Sequence, residues 1–70
     1  MKLGDTIIVR TAQPHNGSCD MPAIVNRVWT DKLVNCTVLP DCGAPYTMTS
    51  VTVHGVQPAS PQPGLDGWLP

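Results

Sequence analysis

Pro22-Ala-Ile-Val-Asn-Arg-Val-Trp29, Thr30-Asp-Lys32 and Leu33-Val-Asn-Cys-Thr-Val-Leu39 form one continuous stretch in which two strand-like runs flank a very short connection. A connection of that length joins antiparallel neighbours, so the stretch predicts a β-hairpin. In the second run Val34, Cys36 and Val38 alternate with Asn35 and Thr37, and period two puts the first set toward a core and the second on a polar face. The first run is less clean. Ala23, Val25, Arg27 and Trp29 share one face and Ile24, Asn26 and Val28 the other, which predicts a curved strand partly covered on both sides.

Outward from the hairpin, Asp5-Thr-Ile-Ile-Val-Arg10 is rich in β-branched residues and predicts a first strand, entered through a turn at Gly4-Asp5. Residues 11–21 carry Pro14, Asn16, Gly17, Ser18 and Asp20 and are expected to form a polar loop. Pro40, Asp41, Gly43 and Pro45 are turn formers, with Asp41 and Gly43 where a tight reversal uses a side-chain acceptor and a permissive backbone. Tyr46-Thr-Met-Thr-Ser-Val-Thr-Val53 predicts a last strand, or two short ones with a bend at Ser50. From Gln57 onward Pro58, Pro61, Pro63, Gly64 and Gly67 favour an extended polyproline-like arm. The expectation is an all-β fold, a small SH3-like barrel or strongly bent antiparallel sheet over residues 1–56, with a Pro-rich tail over 57–70.

A 70-residue chain buries a small share of its surface and gains from disulfides, a metal or partner subunits. Cys19, Cys36 and Cys42 cannot all pair within one chain, and no leader of signal-peptide type precedes the first strand, so a reduced cytosolic protein is expected. The glycosylation triplets at Asn16 and Asn35 then carry no consequence. No Cys-x-x-Cys knuckle or regular His spacing suggests a metal, and the cysteines read as small buried hydrophobes and one loop thiol. Oligomerisation is the expected way to complete the core.

The net charge is −1, and Lys2, Arg10, Arg27 and Lys32 are spread along the chain, so general nucleic-acid binding is not expected. No apolar run has membrane-spanning length and no basic amphipathic helix is present, so no membrane partner is expected. His15, His54, the three cysteines and the five acids fall in no spacing that assembles a nucleophile with a base or paired carboxylates, and both histidines read as solvated loop imidazoles. The chain therefore reads as a non-enzyme without a cofactor.

Pro22 to Trp29, then Val34-Asn35, Thr37-Val38, Pro40-Asp41, Gly43 and Pro45, then Thr49-Ser50-Val51, resemble a group of small, mostly uncharacterised proteins of tailed bacteriophages, whose pattern reads approximately HPAIVTRVW, VNLTVFPDG, P and TSV. The resemblance covers about 30 residues. Met21 stands where that pattern often has histidine, Asn26 where threonine is common, and Cys36 and Leu39 where leucine and phenylalanine are usual. The resemblance implies a phage product acting in the bacterial host cytoplasm or in a virion. Sponges that sequester nucleotide signals of host defence, and capsid or tail accessories, are both compatible with it.

Arg27, Trp29 and Tyr46 have the composition of a nucleotide pocket, an aromatic face for a base and a guanidinium for a phosphate. Trp29 as a plain core cap explains the same residue equally simply. Asn35 and Thr47 are candidate donors on polar strand faces, and Asp41 a candidate acceptor, though cross-strand pairing and an ordinary turn also account for them. Trp68 and Leu69, at the end of the Pro-rich arm, are expected to pack on a neighbouring subunit. The functional expectation is an oligomeric binding protein for a small anionic nucleotide. A virion accessory and a protein-binding inhibitor of a host factor are the alternatives.

Overall fold

The computed structural model describes residues 1–15, 17–41 and 43–70, with the side chain of His15 outside the description. The readings of Cys42, of Asn16 and of the His15 imidazole fall on positions that lie outside the described residues. The remainder is all-β. Strands β1 (Thr6–His15), β2 (Ser18–Val28), β3 (Leu33–Val38), β4 (Tyr46–His54) and β5 (Asp66–Trp68) follow one another around a closed barrel. Every neighbouring pair is antiparallel except β4 with β5. The small SH3-like barrel expected from the sequence is the architecture found.

β3 carries the pattern that the alternation predicts, since Val34, Cys36 and Val38 are fully buried while Asn35 and Thr37 stand on the outer face. Each buried valine contributes about 1.5 to 3 kcal/mol relative to an exposed one. Ile7 and Val9 from β1, Met21, Ala23 and Val25 from β2, and Met48, Val51 and Val53 from β4 complete one core. Burial pushes the Cys36 thiol up to about 11, so it behaves as a small inert hydrophobe.

The mixed faces of β2 have a structural cause. Val25 pairs with Cys36 but Arg27 pairs with Asn35, so β2 advances two residues while β3 advances one. This β-bulge turns both Asn26 and Arg27 outward and returns Val28 to the core side, where it packs against the cluster. The connection after β2 is closed by Thr30, whose Oγ1 accepts from the amides of Lys32 (3.3 Å) and Leu33 (3.1 Å).

Residues 11–15 and 18–21 are strand and not loop. β1 continues to His15 and pairs with β2 as a hairpin whose register jumps between Arg10↔Asp20 and His15↔Ser18. Buried Thr11 repairs the jump: its hydroxyl lies 2.9 Å from the carbonyl of Cys19 and 3.0 Å from that of Gln13, one proton serving either acceptor. Gly17 supplies the positive φ of 84° that the reversal requires.

The C-terminal segment is also not a free arm, and the fold does not end at residue 56. β5 closes the barrel, paired with β1 through Ile8↔Trp68 and Val9↔Gly67 and with β4 through Val53↔Gly67. Gly67 faces the interior, where an added Cβ would lie 2.9 Å from the Ile8 carbonyl oxygen and 3.2 Å from a Val51 methyl, so only glycine lets the strand approach. Residues 55–65 must cross between parallel strands, and with the interior filled they run over the outside, tied down by a 3.0 Å hydrogen bond from the Gly64 amide to the Arg10 carbonyl. Pro61 and Trp68 are both buried. Trp68 is 5% exposed and sits on the outer face beside Ile8, with the Arg10 guanidinium 6.0 Å from its ring centre. Its burial against its own barrel corrects the expectation of an intersubunit contact. Leu69, 44% exposed, keeps an open side chain.

His54 is not a solvated loop residue either. It ends β4, and its Nε2 lies 3.1 Å from the Asp66 carboxylate. The Gln62 amide donates to the same carboxylate at 2.8 Å, and that bond, followed by the His54 contact, holds the Asp66 carboxyl below its ordinary range.

Candidate binding site

Asn35 occupies the one position on β3 opposite an irregularity on both sides. On β2 it faces the bulge at Asn26 and Arg27. On β4 the pairing passes from Val34↔Val51 to Cys36↔Met48, which sets Thr49 and Ser50 together against Asn35. Ser50 takes a left-handed conformation, φ 56°, uncommon for a residue with a Cβ. Bulges re-aim side chains, and these two direct several toward one point on the outer surface.

At that point the Asn35 side-chain oxygen accepts from the Trp29 indole N–H and from the Ser50 amide, both at 2.9 Å. Neither donor can act as an acceptor, so the orientation of the carboxamide is fixed by its neighbours. Trp29, at the end of β2, is thereby held on the surface at 51% exposure, with its own amide donating to the Leu33 carbonyl at 2.8 Å. The Arg27 guanidinium lies 4.3 Å from the indole centroid, a stacked cation–π geometry. Among the described residues no carboxylate pairs with Arg27, whereas Arg10 is held by Asp20.

Arg27, Trp29 and Asn35 are thus brought together, and they meet neither a core nor a closed cavity. They form an exposed shelf. Thr47 lies farther along the same outer surface, paired with Thr37, whose hydroxyl accepts from Asn26 at 2.8 Å. Ser50 belongs to the cluster and was signalled in the sequence only as a bend. Its amide, which does the work, has no residue-type signature.

Tyr46 does not join them, and the single pocket expected from Arg27, Trp29 and Tyr46 is not formed. Tyr46 pairs with Val38 and Arg27 with Asn35, a separation of roughly 10 Å along β3, and Tyr46 stands on the interior side. It lines a cleft of about 370 Å³ at the opposite mouth of the barrel, with Thr11, Ala12, Gln13, Met48 and Gly64. Asp41 lies in the β3–β4 connection at that same end.

Among the described residues no three His, Cys, Asp or Glu side chains gather as a metal site, and no helix is long and apolar enough to cross a membrane. The chain matches no protein-family model, no curated protein and no solved structure.

Proposed function

We propose that the chain is a non-catalytic binding module and that the Arg27–Trp29–Asn35 shelf is its recognition surface for a small anionic, ring-bearing ligand of nucleotide type. The observation that carries the reading is the Arg27 guanidinium stacked 4.3 Å from a half-exposed indole and, among the described residues, paired with no carboxylate. Such a pair offers a flat apolar surface and a cation side by side. Asn35 locks the ring, so little conformational freedom is lost when a ligand arrives.

With the resemblance to small tailed-phage proteins, this reading becomes a sponge in the host cytoplasm that sequesters a nucleotide-derived defence signal without cleaving it, as an oligomer of identical chains. Isothermal calorimetry against cyclic dinucleotides and ADP-ribose derivatives tests it. Saturable heat that is lost in Trp29→Ala is the expected result, and no heat with any of them overturns it. A virion accessory is the second reading, favoured by the exposure of Ile24, Leu39 and Leu69 on the outer surface. Mass spectrometry of purified particles separates the two, since an accessory is present in many copies and a sponge is absent.

A further inference from the structure

We infer that the Arg27 guanidinium and the Asn35 side-chain NH2 together form a paired-donor subsite for a phosphoryl oxyanion, with Asn35 as the residue that sets its specificity. This rests on the reading of the shelf as a recognition surface and assigns the chemistry of one part of it. The oxygen of the Asn35 carboxamide is committed to the Trp29 indole and the Ser50 amide, both donors, so the NH2 group must face the other way. No described group accepts a hydrogen bond from that nitrogen, and Asn35 is only half-buried.

Asn35 is the direct cross-strand partner of Arg27. Side chains at such positions leave strands with Cβ atoms about 4.5 to 5.5 Å apart, so the amide and the guanidinium border the same patch. The guanidinium carries donors and no acceptor, and it has no carboxylate partner among the described residues. The guanidinium and the amide nitrogen therefore present N–H donors side by side. A tetrahedral phosphoryl group, with several acceptor oxygens, can span the arginine fork and the amide at once.

Asn35→Asp is the discriminating variant. It preserves an acceptor for Trp29 and Ser50, replaces the NH2 by a second carboxylate oxygen, and gives Arg27 an internal anion. Inorganic pyrophosphate serves as the probe, followed by NMR on the Asn35 side-chain amide and the Arg27 Nε–H in the wild-type chain. Both signals shift together on titration, and Asn35→Asp weakens the binding at least 30-fold while its amide spectrum stays folded. If pyrophosphate moves neither signal, or if Asn35→Asp binds it as the wild type does, the inference is overturned. The wild-type titration decides even where the variant does not fold. Pyrophosphate binding at these two groups, with nucleotides binding no tighter, would leave the subsite standing and remove the ring-bearing ligand. Nucleosides binding as tightly as nucleotides would remove the subsite and leave the shelf.

Discussion

The two ends of the barrel solve the same problem differently. At the Tyr46 end, the irregular part of β1 is repaired internally, with the buried Thr11 hydroxyl turned onto the Cys19 and Gln13 carbonyls, and the cleft there is lined by uncharged residues. At the Trp29 end, two bulges meet at Asn35, and the repair leaves a ring, a guanidinium and an amide NH2 facing solvent. Irregular backbone at one end is absorbed by structure, and at the other it is turned into a surface. A bulge alone does not distinguish these outcomes. What distinguishes them is whether the polar groups it re-aims find partners within the chain.

The comparison can be broken at its frame first. Both ends depend on β5 closing the barrel, and Gly67→Ala places a Cβ against the Ile8 carbonyl, so it is expected to destabilise by about 3 kcal/mol. Chemical denaturation measures this, and an unchanged midpoint would mean that β5 is not tightly docked. Next, Asn35→Ala leaves the indole N–H and the Ser50 amide without their acceptor, at a cost of about 1 to 2 kcal/mol. Tyr46→Ala, at the cleft, is expected to leave the Trp29 environment and any nucleotide binding unchanged, which calorimetry checks.

A smaller effect is expected at Ser50. Its left-handed φ of 56° is strained for serine, and its contribution to the shelf is a backbone amide, so Ser50→Gly is expected to stabilise by about 0.5 kcal/mol and retain ligand binding. Loss of binding would show that the hydroxyl matters. The smallest effect lies at the crossover. The Asp66 carboxyl titrates lower in the folded chain than in the unfolded one, so its contribution is complete above about pH 4 and fades as pH falls through the lower folded value. Asp66→Asn is expected to flatten that acid limb of the pH–stability curve and leave the Arg27–Trp29–Asn35 shelf untouched.

β3 and the turn before it were legible because period-two alternation and a very short connection between strand-like runs are local signals. The β1–β2 hairpin was legible in principle, since Asn16-Gly17 is a strong hairpin dipeptide, but the surrounding polar and proline residues resemble a loop. β5 was not legible, because Gly67 is there for a close approach to β1 that only the closed barrel creates. At the site, alternation put Arg27 and Trp29 on one face, whereas Asn35 stood out only as a candidate donor on a polar strand face. Their convergence depends on two register shifts, and the exclusion of Tyr46 depends on where along β3 each strand pairs. Neither is a property of residue type. Trp68 misled for the same reason: an indole next to prolines at the end of a chain looks exposed until β5 docks it beside Ile8 and Arg10.

The proposed recognition surface lies at the Trp29 end of the barrel and not at the cleft. Backbone amide shifts mapped by NMR during titration with ADP-ribose test it most directly. Perturbations confined to Asn26–Trp29, Leu33–Asn35 and Thr49–Val51 are the expected result. Perturbations centred on Thr11–Gln13, Tyr46, Met48 and Gly64 would contradict it.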